Sequence, residues 1–524
     1  MSIKQKNQNN NLPMILIILD GWGIAKPNKG NAVTLAKTLF IDNLIKKYPS
    51  TELYAHGKHV GLPPKQDGNS EAGHMNIGAG RPVEQDVVKI SKSINDGTFF
   101  KNAAFLTAIK HAKENNSNMH LMGMLSNGMS AHSDPDHLLA LLTLLRKYNL
   151  DNVYLHLFTD GRDSPKYASL KLIEEIEREY LDKEQIATIM GRFYAMDRKK
   201  KWKRTEYAYN SLIIGNNNKA GSPQDAITQS YNRGEDDEFI EPYVITKNNK
   251  ALPRIKDNDS VIFFNLRSDR ARQLAKIFVQ KNFNEDNPGS GKRKKVLKNL
   301  CFVAMTDFGP DLDSIITAFP SVDIKETLPM VLSDLRQLYI AETEKYAHVT
   351  YFFNGGYSGR VDNEDQYAII SPDVRSYDVT PAMKSEELSE VVINNLVKNK
   401  YDFTVLNFAA PDMVAHTGNL EAGIKCCEII DKELEKIIKK YLKYNGTAVI
   451  TADHGNIEEM INLDTGEIDT EHSINPVPFI IVKNDVKSLK LRKGGTLSNI
   501  APTILDLLGR KKPAEMTGQS LIKT

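Results

Sequence analysis

Two uninterrupted apolar runs at opposite ends of the chain, Met14 to Leu19 and Ala448 to Ala452, each lead directly into an aspartate, Asp20 and Asp453. A strand with no polar face is buried on both sides, as in a parallel sheet covered by helices. Open α/β sheets gather their functional side chains in the crevice beyond the carboxyl ends of the strands, which is where both carboxylates would sit. Asp453 is followed by His454, Gly455 and Asn456. A carboxylate beside an imidazole offers a hard oxygen and a borderline nitrogen, a pair suited to a divalent transition metal.

Other segments offer the same side chains. Asp412 and His416 follow a Val405–Phe408 strand, and if Pro411 opens a helix they stand one turn apart on one face. His472 lies in the loop before the Pro478–Val482 strand. Taken singly, each reads equally well as a capping aspartate or a hydrogen-bonded loop histidine. Counted together, Asp20, Asp412, His416, Asp453, His454 and His472 are enough for two metals with open positions for substrate. Paired ions of this kind stabilise the entering and leaving oxygens of phosphoryl transfer. Ser70, in a polar loop Gly68-Asn69-Ser70-Glu71-Ala72-Gly73-His74, supplies a hydroxyl that metal coordination would activate, and Gly68 and Gly73 allow close approach.

Between the early and late ligands lies a long section in which strands near Met119, Val153, Ile186 and Val261 alternate with helices, which implies a second α/β sheet. The expected organisation is two α/β domains: residues 1–85 and 312–524 forming a discontinuous metal-binding domain, and residues 86–311 inserted into it. A chain of 524 residues with 41% hydrophobic content can fill two cores. Helices are expected from Asn31 to Tyr48, from Ser164-Pro165 onward and from Glu421 to Tyr441, with Asn284 to Lys295 an exposed loop.

The middle section carries its own set of charges. His132 follows the Met119 strand, Arg162 and Asp163 the Val153 strand, Arg192 the Ile186 strand, and Arg267 and Arg270 the Val261 strand. One arginine at a strand end is ordinary solvated surface. Repetition at one topological position points to a crevice for a polyanion, with guanidinium forks matched to carboxylate or phosphate. The run Arg198 to Arg204 has the composition of a nucleic-acid patch. However, 68 basic against 66 acidic residues leave a net charge of only +2, so no global field favours nucleic acid or membrane. Arg198 is read as an edge of the anion pocket and the neighbouring lysines as solvated charge.

Cys301, Cys426 and Cys427 cannot build a disulfide framework and fit a reduced cytosol as packing residues. Met1 to Asn11 reads as a disordered polar tail, and the apolar run after it is too short to span a bilayer. The expectation is a cytoplasmic monomer acting on a small molecule, with no nucleic acid and no membrane.

Five segments, Leu19-Asp20-Gly21-Trp22-Gly23, Gly68 to His74, Ala410-Pro411-Asp412-Met413-Val414-Ala415-His416, Thr451-Ala452-Asp453-His454-Gly455-Asn456 and His472-Ser473-Ile474-Asn475-Pro476-Val477-Pro478, resemble the motifs of the cofactor-independent phosphoglycerate mutases, in order and along essentially the whole chain. The resemblance implies an alkaline-phosphatase-like three-layer domain interrupted by a transferase domain, two manganese ions and no need for 2,3-bisphosphoglycerate. It implies that Asp412, His416 and His472 hold one ion and Asp20, Ser70, Asp453 and His454 the other. His132, Arg162, Asp163, Arg192, Arg198, Arg267 and Arg270 would contact phosphoglycerate, and Lys345 the transferred phosphoryl group. Ser70 would take the phosphoryl group and return it to the other hydroxyl of the glycerate, with Asp163 as acid and base, and the domains would close on substrate. The competing readings are a metal-dependent phosphatase or sulfatase, which would need no second arginine-lined domain, and a phosphopentomutase.

Overall fold

The computed structural model describes residues 12–523 except 129, 310, 313, 322, 323, 358, 464, 487 and 488. The tail expected at Met1 to Asn11 lies outside the described residues. The chain forms two compact units, Met1–Gln85 with Val322–Thr524, and Asp86–Ser321.

The first unit is built on an eight-stranded sheet. Met14–Leu19 lies at its centre, parallel to Phe403–Phe408 on one side and Thr447–Thr451 on the other. Gln337–Glu342 and Glu364–Ile369 extend the parallel set, whereas Val477–Val482 and Ser50–Tyr54 run antiparallel to their inner neighbours, and Gly495–Thr496 forms the far edge. Every residue of Met14–Leu19 and of Phe403–Phe408 is buried, as the absence of a polar face requires. Pairing strands from the two ends of the chain sets the carboxyl end of Met14–Leu19 beside those of Phe403–Phe408 and Thr447–Thr451, and so gathers Asp20, Asp412 and Asp453. The helix Leu420–Lys443 buries Cys426, Cys427, Ile430, Leu434, Ile437 and Ile438, a stripe at three- and four-residue spacing.

The second unit is built on a nine-stranded sheet. Ile315–Phe319, Cys301–Thr306, Ser260–Phe263, Met119–Met124, Val153–Thr159 and Gln185–Gly191 are parallel in that order. Tyr243–Lys247 closes the order antiparallel to Gln185–Gly191, with Lys219–Ala220 and Lys250–Ala251 beside it. All three cysteines are free and buried. Among the described residues no helix is long and apolar enough to cross a membrane.

Five local expectations are corrected. The Gly68 to His74 segment is not a loop but the start of a helix, Ser70–Ala79, whose N-cap Asn69 accepts from the Ala72 N–H at 2.9 Å. Its glycines are packing residues, since a Cβ on Gly73 would lie 2.6 Å from the Asp453 carbonyl oxygen and one on Gly78 1.9 Å from that of Phe353. The helix expected from Asn31 to Tyr48 is two, Ala32–Leu35 and Leu39–Lys47. The second can start afresh because the carboxylate of Asp431, from another helix, accepts from the N–H groups of Phe40 and Ile41 at 3.0 and 2.8 Å. The helix after Ser164-Pro165 begins only at Ser169, where the carboxylate of Asp237 takes two amide protons at 2.9 Å each. Residues 315–319 pair within the second sheet, so the stretch after 311 stays with the second unit; this half-exposed edge strand gave no periodic signal. Asn284 to Lys295 is partly structured, with a helical turn Phe283–Asp286 and a buried Asn287 that donates to Gln280 Oε1 at 2.7 Å.

Candidate functional site

Each side chain of the first unit's site is delivered by a strand end or the loop beyond it. Asp20 follows Met14–Leu19, Asp453 and His454 follow Thr447–Thr451, and Asp412 sits on the short helix Ala410–Ala415 after Phe403–Phe408. Asp20, Asp453 and His454 are fully buried and Asp412 is 2% exposed. The side chains of His416 and His472, 39% and 22% exposed, form the open rim.

Two groups of possible ligand atoms meet here, and Asp20, Asp412 and His454 also fall within one cluster. In the first, His416 Nε2 and His472 Nε2 lie 3.3 and 3.4 Å from Asp412 Oδ1 and 3.2 Å from each other. In the second, Ser70 Oγ lies 2.9 Å from His454 Nε2 and 3.3 Å from Asp20 Oδ1, while His454 Nε2 is 3.4 Å from Asp453 Oδ2 and 3.6 Å from Asp20 Oδ1. Lys345 stands between them, its ammonium donating to Asp20 Oδ1 at 2.6 Å, Asp412 Oδ2 at 2.6 Å and Ser70 Oγ at 2.7 Å.

The donor set fits divalent ions. His416 Nδ1 donates to the Thr470 carbonyl at 2.7 Å and His454 Nδ1 faces the Gly455 carbonyl at 3.3 Å, so in each ring the Nε2 lone pair is turned toward the carboxylates. Ligating histidines are held in this way, the distal N–H bound and the other nitrogen free for the metal. Two imidazole nitrogens facing each other at 3.2 Å beside a carboxylate require a proton or a cation between them. Titration behaviour reports the same demand. Burial alone would lower His454, but Asp453 and Asp20 hold it up at about 9. Burial would likewise raise Asp412 and lower Lys345. Instead Lys345 and His416 hold Asp412 well below the usual carboxylate range, and Asp20 and Asp412 push Lys345 up.

Some participants left no clear trace in the sequence. His74, one turn along the helix from Ser70, places Nδ1 2.9 Å from the Ser70 carbonyl and 3.2 Å from Asp453 Oδ2, and so belongs to a further cluster of possible ligands with Asp20 and Asp453. Asn407 donates to Asp20 Oδ2 at 2.7 Å and Asn456 to Asp412 Oδ1 at 2.8 Å. A signal existed for Asn407, an amide in an otherwise apolar strand terminus.

The second unit gathers the other set. Arg192, 2% exposed, ion-pairs through one Nη1 with Asp160 and with Asp163 Oδ2, the latter at 2.9 Å, and Ser130 Oγ also donates to Asp163 Oδ2 at 2.7 Å. Burial would raise Asp163, but Arg192 and Ser130 hold it below the usual carboxylate range, hence ionised. His132 is lowered to about 3 by burial and by the nearby Arg267 and Arg192. Arg270 donates to the Met196 carbonyl at 3.4 Å; burial and the guanidiniums of Arg192, Arg198 and Arg162 lower it to about 10. Arg198 pairs with Asp269 at 2.7 Å, Arg267 with Asp269 at 3.4 Å and Arg162 with Glu238 at 3.2 Å. Burial and the guanidiniums gathered near Arg270 and near the His132 imidazole lower both groups, a positively charged setting that suits an anion. Asp160, the first residue past the Val153–Thr159 strand, shares Arg192 with Asp163, a partnership that its place in the sequence does not reveal. The nucleic-acid reading of Arg198 to Arg204 loses its aromatic, because Trp202 is buried edge-on against Phe283. Arg204 stacks on Phe193 instead, 3.6 Å from the ring centre.

Comparison with known proteins adds to this geometry. Residues 12–512 match the family model of the metalloenzyme superfamily. The chain is 48% identical over 516 residues to the 2,3-bisphosphoglycerate-independent phosphoglycerate mutase of Clostridium kluyveri, covering 98% of this chain and 99% of the relative. It is 47% identical over 514 residues to that of Clostridioides difficile, covering 97% and 99%. Among solved structures, phosphoglycerate mutase from Leishmania mexicana, crystallised at low cobalt concentration, is similar with a TM-score of 0.82 at 28% identity over 99% of both chains.

Proposed function

The chain belongs to the 2,3-bisphosphoglycerate-independent phosphoglycerate mutases of the metalloenzyme superfamily, and from that premise we propose that it interconverts 2-phosphoglycerate and 3-phosphoglycerate through a phosphoserine at Ser70. It is an isomerase, and its chemistry needs no 2,3-bisphosphoglycerate. The observation that carries the serine is its setting: Ser70 Oγ is 2.7 Å from the Lys345 ammonium and opens the first turn of a ten-residue helix. A phosphoryl group there would meet a fixed positive charge and the amino end of a helix, both of which favour an anion.

Divalent ions, manganese in this reading, bound by Asp412, His416 and His472 and by Asp20, Ser70, Asp453 and His454 would lower the pKa of the serine hydroxyl and neutralise phosphoryl charge. Ser70 gives up its proton and its Oγ bonds to phosphorus as the bond to the glycerate oxygen breaks, and that oxygen takes up a proton in exchange. In the second half the other glycerate hydroxyl loses its proton and takes the phosphoryl group back. Asp163, ionised and fixed by Ser130 and Arg192, is suited to accept that proton, while Ser70 Oγ takes one up as its bond to phosphorus breaks. His132, Arg162, Arg192, Arg198, Arg267 and Arg270 hold the phosphoglycerate, guanidinium forks against its carboxylate and phosphate. Three buried free thiols support a cytoplasmic setting, and a monomer suffices for this chemistry.

Labelled 2-phosphoglycerate tests the reaction. Retention of the label on glycerate, with no bisphosphoglycerate added, is expected; inorganic phosphate released at the rate of turnover would place the chain with the hydrolases.

A further inference from the structure

Glu458 lies outside both proposed ligand sets, yet it is fully buried and its carboxylate is bound from three separate loops. Oε2 accepts from the Gly23 N–H and the Asn456 N–H, both at 2.9 Å. Oε1 accepts a short bond from Ser473 Oγ and one from Asn475 Nδ2 at 3.1 Å. Gly23 stands just beyond Asp20, Asn456 just beyond His454, and Ser473 directly after His472. One carboxylate therefore fixes the chain within three residues after a proposed ligand in each of three segments, one of them from the other end of the chain.

The surrounding backbone is shaped for it. A Cβ on Gly23 would fall 2.2 to 2.5 Å from the Glu458 carboxylate, and one on Gly455 2.4 Å from Oε1 and 2.3 Å from Ser473 Oγ. The glycines flanking the aspartates are thus needed for room around this side chain. Direct backbone bonds, Ser473 N–H to Gly455 O at 2.9 Å, Ile457 N–H to Gly21 O at 3.0 Å and Ile24 N–H to Pro476 O at 2.7 Å, bring the same loops together but leave the turn amides of Gly23 and Asn456 to Glu458.

We propose that Glu458 is a positioning residue for both ion sites, setting the spacing of Asp20, His454 and His472 through the loops that carry them. The proposal rests on the metal reading above. Partners one shell removed from a metal commonly change affinity by about 10–100-fold when replaced. Glutamine in place of glutamate keeps the shape but turns one acceptor into an NH2 facing two donors.

The test is Mn2+ titration of the full chain by calorimetry, together with the Mn2+ dependence of turnover. Two equivalents are expected to bind to the unaltered protein. Glu458→Gln should bind them about 10–100-fold more weakly, with lost activity recovered at raised Mn2+ and KM for phosphoglycerate unchanged. A merely structural role would lower the melting temperature without that recovery. If Glu458→Gln does not fold, Ser473→Ala and Asn475→Ala, each removing one donor, should show the same trend at about three- to tenfold. Mn2+ affinity within twofold of the unaltered chain in whichever variants fold would overturn the role of Glu458 alone. An unaltered chain that takes up no Mn2+ would overturn the metal reading and this proposal with it.

Discussion

The two units solve opposite electrostatic problems. In the first, Asp20, Asp412 and Asp453 are buried around one lysine, and two of the imidazoles beside them are pushed toward protonation. In the second, burial and neighbouring arginines lower Arg270 to about 10, and each of the more exposed ones, Arg162 and Arg198, keeps an acidic partner. The acid cage is buried and pinned by hydrogen bonds, so it suits ions that must be held at fixed positions. Of the arginines, Arg162 and Arg198 are held by exposed pairs worth about 0–1 kcal/mol each, which a phosphate or carboxylate could replace at little cost, whereas Arg192 is paired in the interior. On the proposed function, the first would be a fixed site for the reaction and the second an adaptable one for the substrate, as a reorienting intermediate calls for.

The largest effect that would sharpen this contrast is loss of the nucleophile. Ser70→Ala should lower kcat by about 10⁵-fold or more. The fold should be retained, because Asn69 and not Ser70 caps the helix. Steady-state kinetics with a melting curve check both halves.

Next is Lys345→Met. It leaves Asp20 and Asp412 buried without their cation, so the metal-free first unit should lose about 3–5 kcal/mol, read by denaturant unfolding under chelation. Added Mn2+ should restore most of the stability and little of the turnover. Arg270→Met should do the reverse, raising KM about 10–100-fold while leaving Mn2+ affinity unchanged. If Arg270→Met weakens Mn2+ binding, the division of labour between the units is wrong.

Much of this was legible in the sequence because it is written locally. Apolar runs ending in Asp20 and Asp453 gave the parallel strands, and the Glu421 to Tyr441 periodicity gave the long helix, found at Leu420–Lys443. What was not legible depends on partners distant in sequence. The helix at Ser70 was hidden because Gly73 and Gly78 look like breakers until Asp453 and Phe353 are seen against them. The break after Leu35 depends on Asp431, and the role of Glu458 on three loops at once. Lys345 has no unusual neighbours in sequence; only resemblance pointed to it.

A smaller effect separates the units by pH. In the second unit His120 Nδ1 and His156 Nε2 share a hydrogen bond of 2.9 Å, and His120 Nε2 lies 3.0 Å from Asp259 Oδ2, all in the core. Burial lowers both histidines; Asp259 opposes it at His120 without overcoming it, and His120 and Arg254 lower His156 further. Folded values below the unfolded one of about 6.5 mean that their contribution is complete above that pH and is lost as pH falls below it. Protection of the amides in the Met119–Met124 and Val153–Thr159 strands, corrected for slower intrinsic exchange at lower pH, should therefore fall between pH 7 and 5, and protection unchanged across that range would break the expectation.

The most direct test of the central claim is to quench the Mn2+-loaded enzyme in acid during turnover of phosphoglycerate and map phosphate on its peptides by mass spectrometry. Phosphate on Ser70, appearing within the first turnover and absent in Ser70→Ala, is the expected result. Turnover with Ser70 bare and the phosphate on another side chain, or on none, would contradict it.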